Sequence, residues 1–292
     1  MVRYSVTANA LEQAINDLEP TWLTRAAQRT ATFKNLGRYE EASGIWSEIK
    51  AVYMKLQGNK CAFCERELEN SKIEHDVEHY RPKGNAKAWP TPKILEKKQF
   101  PFSLPSGQER PGYHLLAYHT WNYLTSCKTC NSNLKSDFFP IAGSSIAGED
   151  HPKNYRDEDA YLLYPLGTLD QNPEKVFTFE GIFPMPCHKQ GKTRLRALVT
   201  IAFFELDIRE HLLKQRARIL IDFSRAYADW KTASTQRKRD RGQADIERMT
   251  KITAPHASCV RSFRRLCESD PDEADRILEA VWDYLESLNV ES

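Results

Sequence analysis

The chain has 292 residues, 40% of them apolar and 28% charged, a balance that suits a soluble protein of about two domains. Mean hydropathy is −0.63 and no apolar run reaches the ~18 residues of a membrane-spanning helix, so no membrane association is expected. The opening MVRYSVTANALEQ lacks the basic-then-apolar order of a secretory leader, which points to a cytoplasmic protein, and 42 Lys and Arg against 40 Asp and Glu leave a net +2 that by itself argues for no polyanionic partner.

Apolar residues recur at helical spacing over 8–31 and 38–57. In the second segment Ile45, Trp46, Ile49, Val52, Tyr53 and Leu56 mark one buried stripe. Gly58-Asn59 is a stop signal. Residues 59–80 read as a cysteine knuckle followed by a short extended piece, and the prolines and glycines of 81–112 predict mostly loop. An aromatic-rich stretch over 113–124 leads into a second cysteine pair. A short helix over 131–139, ended by Pro140, precedes a polar linker over 141–159. Strand-like alternation marks 160–186, through Val176, Phe177, Phe179, Ile182 and Phe183. From Thr193 onward the pattern is helical in about three segments. The organisation expected is an N-terminal helical segment (1–58), a cysteine-bearing finger (59–143), a linker with short hairpin-like strands (144–192) and a C-terminal helical region (193–292). Basic residues gather between Lys192 and Arg218 and again at Arg237, Lys238, Arg239 and Arg241. A solvated helix face and a polyanion contact explain such runs equally well.

Four of the seven cysteines form two close pairs, Cys61-Ala-Phe-Cys64 and Cys127-Lys-Thr-Cys130, while Cys187, Cys259 and Cys267 stand alone. A chain expected in a reducing compartment has little use for disulfides. Two CxxC knuckles supply four thiolates to one tetrahedral Zn²⁺, and such a site is closed and structural. Metal-free thiols and a redox pair are the alternatives, and a redox pair needs no second knuckle. Structural zinc contributes on the order of 10–16 kcal/mol in small fingers, enough to organise the long insert between the pairs.

Within that insert 73–82 reads IEHDVEHYRP. Trp121-Asn122-Tyr123-Leu124 follows, and the second knuckle continues as Cys130-Asn131-Ser132-Asn133-Leu134-Lys135. These elements, in this order over roughly 61–140, resemble the HNH endonucleases, the ββα-metal or His-Me finger family. The resemblance implies an α+β, mainly α chain: a zinc-stabilised ββα-metal finger flanked by N-terminal and C-terminal helices. It also implies roles. His79 would be the general base on an attacking water, and Asn122 would tie the loop and orient His79. Glu78 and Asn131 would hold one hard divalent ion, Mg²⁺ or Mn²⁺, through oxygen donors. Arg81, Lys83 and Lys135 are candidates to meet phosphate. The spacing from Asn122 to Asn131 matches the family and favours Asn131 over Asn133. Two positions depart from it, since Asp is more usual at Glu78 and His is frequent at Asn131. His75, His114 and His119 read as surface or packing residues, Glu74 and Asp76 as solvated charges, and Cys187-His188 lacks a partner pair for a second metal site.

The segments LLYPLGTLDQNPEKVFTFEGIFPMP and GKTRLRALVTIAFFELDIREHLLKQR are more loosely similar to the tail of HNH proteins in Septu and retron-type bacterial anti-phage systems. In those proteins an extended hairpin-like piece precedes a helix with an Asn/Glu-Leu-x-x-x-Arg ending, and here Glu205-Leu206-Asp207-Ile208-Arg209 sits in that place. This similarity implies an ATPase partner subunit, with the C-terminal helices as docking surface, DNA-holding arm or plain support. The expected activity is metal-dependent cleavage of DNA in defence against phage. An RNA-cleaving enzyme acting on, for example, tRNA, and a catalytically inactive zinc-stabilised scaffold that binds nucleic acid, remain open. So does a homo-oligomeric state.

Overall fold

Pro20 splits the first helical stripe. Helix α1 (Ala8–Leu18) starts at Thr7, whose hydroxyl accepts the Ala10 amide at 3.2 Å, and stops at Glu19. Helix α2 (Trp22–Leu36) resumes beyond the proline and ends at Gly37 in the left-handed region (φ 67°). Only part of the second stripe is helical. A 3₁₀ turn over Trp46–Ile49 runs into α3 (Lys50–Leu56), which buries Val52 and Tyr53 and ends at the expected glycine-asparagine stop (Gly58 φ 64°, Asn59 φ 54°).

The computed structural model describes residues 1–68, 74–103 and 108–290, so Ile73, which opens the motif, lies outside the described residues. Strand β1 (His75–His79) pairs antiparallel with β2 (Tyr123–Cys127), in a register that sets His75 against Cys127 and His79 against Tyr123. Between them the described residues are mostly irregular, as the prolines predict, but they include α4 (Pro92–Lys97), capped by the Thr91 hydroxyl on the Ile94 amide at 3.3 Å. Beyond β2 the second knuckle winds directly into a π turn over Thr129–Lys135 and ends at Ser136 (φ 43°). The helix expected over 131–139 is therefore shorter and starts earlier.

A hairpin follows, β3 (Phe177–Glu180) with β4 (Phe183–Pro186), turning through Gly181 at φ 53°. The C-terminal region holds α5 (Gly191–Phe203), α6 (Glu210–Thr232), α7 (Gln236–Thr250), α8 (Ala257–Ser269) and α9 (Pro271–Val290), more segments than the sequence pattern suggested. The extra breaks fall at Glu205 and His256, both in the left-handed region, and at Pro271. Close approach of α6 and α7 requires Gly242, because a Cβ there would lie 2.5 Å from the Ala226 carbonyl oxygen. The chain is thus α+β and mainly α, with two two-stranded sheets among the described residues. No helix among them is long and apolar enough to cross a membrane.

Two clusters of buried side chains hold these elements. One joins Leu11, Trp22 and Tyr53 of the N-terminal helices to Phe63, Leu124 and Phe139 around the knuckles and to Phe204 after α5. The other gathers Leu220, Phe223, Ile246, Phe263 and Val281 from α6 to α9.

Candidate metal centre and hydrolytic site

The first knuckle is a tight turn between α3 and the insert. The Cys61 amide donates to the Arg66 carbonyl at 2.9 Å, and the Ala62 amide donates across to the Thr125 carbonyl of β2 at 3.0 Å. Gln57 ties the same two pieces together: its Nε2 donates to the carbonyls of Lys60 (2.9 Å) and Thr125 (2.8 Å), and its Oε1 accepts the Thr125 amide (2.8 Å). The second knuckle leaves β2 through Cys127 and closes with the π turn. All four sulfurs lie within 4.8 Å of one another, at residues no more than 2% exposed. The Cys64–Cys127 separation of 3.8 Å is close to the edge of a tetrahedron with metal–sulfur bonds of ~2.3 Å. Donor chemistry, burial and spacing all fit, and the cluster can hold a zinc ion.

Glu78 and His79 end β1. The His79 ring stands edge-on between Trp46 (4.8 Å between centroids) and Tyr123 (5.0 Å), and its Nε2 lies 3.0 Å from the Ala117 carbonyl oxygen. A carbonyl only accepts, so Nε2 carries the proton and Nδ1 is the basic atom. Burial, reinforced by the Lys83 ammonium and only partly opposed by the Ala117 carbonyl, pushes the imidazole well below its ordinary pKa. It is neutral at pH 7.

Asn122 is fully buried just before β2. Its Oδ1 accepts the Arg81 amide at 2.8 Å, and its Nδ2 donates to the carbonyls of Arg81 (2.9 Å) and Leu116 (3.1 Å). It therefore fixes the exit of β1 and the residue next to Ala117, the two stretches of backbone that seat His79.

Glu78 is 3% exposed and meets Lys135 at 2.6 Å, Nζ to Oε1. Burial drives its carboxyl up to about 7 despite the opposing effect of Lys135 and Lys83. The Lys135 ammonium also donates to the His79 carbonyl at 2.9 Å, which pins the end of the π turn to the end of β1. Lys135 is fully buried, so it serves inside the fold rather than on an exposed phosphate. Asn131 sits half-buried in the π turn directly after Cys130, and among the described residues its side chain takes no hydrogen-bond partner. Lys83 places its Nζ 4.7 Å from the Trp46 ring centroid and 5.4 Å from that of Tyr39, beside His79.

Arg81, a phosphate candidate in the sequence, is an internal buttress instead. Its guanidinium pairs with fully buried Glu158, donates to the Tyr155 carbonyl at 3.1 Å and lies 4.9 Å from the rings of Tyr113, Phe139 and Tyr155. A cleft of about 550 Å³ opens beside Tyr80, Arg81 and Trp121 rather than at Glu78 and His79. The sequence gives no signal for Glu158, and it presents Trp46 only as one member of an apolar stripe. Its contact with His79 follows from where the 3₁₀ turn docks on β1.

No family model matches this chain, and no solved structure matches it. Among curated proteins it is similar to the Septu protein PtuB of Bacillus mycoides (strain KBAB4), with 27% identity over 176 residues. The match covers 60% of this chain and 51% of that protein, so the chain aligns with about half the length of its relative. That similarity supports a relationship to the Septu proteins.

Proposed function

We propose that the chain is an HNH endonuclease that hydrolyses DNA phosphodiesters with the aid of a divalent cation, as the nuclease effector of a Septu-like anti-phage system. The observation that carries this reading is the seating of His79. Its Nε2–H is locked on the Ala117 carbonyl and its neutral Nδ1 is left to take a proton, one residue from Glu78. The order of strands β1 and β2 and then the helical turn of the second knuckle supports this reading.

In the proposed reaction His79 Nδ1 accepts the proton of the attacking water. Asn122 holds the two backbone stretches that fix the ring. Lys83 offers its charge to the phosphate. Glu78 and Asn131 bring the oxygen donors preferred by Mg²⁺ or Mn²⁺, and Glu78 already stabilises a cation, the Lys135 ammonium, on one oxygen. A bound divalent ion would supply electrostatic stabilisation of the phosphorane and of the leaving oxygen. Because Glu78 and His79 are 3% and 7% exposed, under this reading the packing around them opens before a phosphate reaches them.

Burial of the same two residues is the observation that favours a second reading, a zinc-stabilised scaffold that binds nucleic acid without cutting it. Supercoiled plasmid and structured RNA, each incubated with Mg²⁺ and either wild type or His79→Ala, separate the possibilities. Nicking of plasmid by the wild type alone is expected. Cleavage of RNA alone changes the substrate, and binding without cleavage at full zinc content replaces the enzyme with the scaffold.

A further inference from the structure

Four thiolates around one Zn²⁺ leave two net negative charges, and here they are sealed from water. Charge buried in that way needs donors beside it. Arg209, at the N-cap of α6 and 8% exposed, places Nη1 and Nη2 each 3.5 Å from Cys130 Sγ. Arg66 also faces the centre near Cys127, but it shares its charge with Glu74 at 3.6 Å. Arg209 has no carboxylate partner among the described residues, so the sulfur is its counter-anion.

Its position in the helix is otherwise unfavourable. A cation at a helix N-terminus opposes the macrodipole, and no side chain caps α6. Five residues earlier the Phe204 ring stacks on Phe63, inside the first knuckle, at 4.2 Å and 16°. Between them Leu206 is 1% exposed, and its carbonyl accepts Arg216 Nη1 at 2.6 Å. The α5–α6 junction, which contains the Glu205–Arg209 stretch, therefore touches both knuckles: one through a ring, the other through a guanidinium.

We propose that Arg209 is an outer-shell partner of the zinc centre and that the metal, by keeping negative charge on Cys130, docks the C-terminal helices onto the finger. The inference rests on zinc occupying the four cysteines, so the first measurement is the metal content of the purified full-length chain. A folded, zinc-free protein overturns the zinc reading itself. With zinc present, competition against a chromophoric chelator compares wild type, Arg209→Lys and Arg209→Met, the last keeping side-chain length without charge. Arg209→Met is expected to weaken zinc retention by about 10- to 100-fold, the usual effect of losing an outer-shell partner, and Arg209→Lys by less.

Hydrogen exchange of the wild type before and after zinc stripping is the second readout. Faster exchange is expected at residues 203–213, with protection retained where α6 to α9 pack on one another. Wild-type zinc retention in Arg209→Met, or unchanged exchange at 203–213 after stripping, overturns the proposal. If stripping unfolds the whole chain, or if Arg209→Met does not fold, the chelator competition with Arg209→Lys decides: retention equal to wild type counts against the proposal and weakened retention supports it.

Discussion

Replacing Asn122 with Ala removes three hydrogen bonds at a fully buried site and orphans the Arg81 amide and the Arg81 carbonyl, while the Leu116 carbonyl keeps the His119 amide. At a net contribution of roughly 0.5–1.5 kcal/mol per bond, with a further cost for unsatisfied groups, the loss is about 3 kcal/mol. For a chain of this size that corresponds to a melting temperature lower by roughly 6–12 °C. Asn122→Asp should do no better, because a carboxylate keeps the acceptor for the Arg81 amide but turns oxygen toward two carbonyls. Calorimetry on zinc-matched samples measures the shift, and a drop below about 2 °C for Asn122→Ala would refute this view of Asn122 as the tie of the site. The same substitution frees the backbone that seats His79. Under the proposed function cleavage falls on the order of 10²-fold, as expected for a displacement of ~1 Å at the reacting group.

Cys130→Ser should abolish stoichiometric zinc and most of the folding free energy that zinc contributes, seen by metal analysis and circular dichroism together; normal zinc content in this variant would exclude Cys130 as a ligand. Arg81→Met leaves Glu158 buried without its partner and should cost about 3–5 kcal/mol in urea unfolding, with the double variant Arg81→Met/Glu158→Gln milder. A stable Arg81→Met that instead loses nucleic-acid affinity would return Arg81 to a phosphate role. His256 is held down to about 3 by burial, assisted by Arg216, against an ordinary value of 6.5. Its contribution is fully present above the unfolded pKa and is lost as pH falls from there toward 3, because the unfolded chain takes a proton that the folded chain refuses. Between pH 7 and pH 5 wild type should lose about 2 kcal/mol more stability than His256→Gln, and equal losses would show that His256 titrates normally.

What the sequence revealed was local. The cysteine knuckles, the Gly58-Asn59 stop and the short extended piece that ends in Glu78 and His79 are each written within a few neighbouring residues, whereas the pairing of that piece with 123–127 is implied only by the family resemblance. The β3–β4 hairpin is likewise visible in its alternation. What it hid depends on residues far apart in the chain: Glu158 lies 77 positions from Arg81, and Arg209 lies 79 from Cys130. The segment before Trp46 carries helical spacing yet is not helical, and within it Gly44 packs so close to the Trp46 ring that a Cβ there would come within 1.8 Å of it. The second knuckle continues as a π turn rather than an α-helix, and Lys135 at its end is drawn onto Glu78 and the His79 carbonyl. Of the two breaks in the left-handed region, His256 is of a type that enters it more readily than most, whereas Glu205 has no such preference and is held there by its tertiary packing.

Under the proposed function His79 removes a proton from water at a phosphodiester. Single-turnover cleavage of an end-labelled duplex in Mg²⁺, by wild type and His79→Gln at equal zinc content, addresses it most directly. A rate lower by roughly 10²–10⁴ in His79→Gln is the predicted result. Equal rates in the two proteins would contradict it.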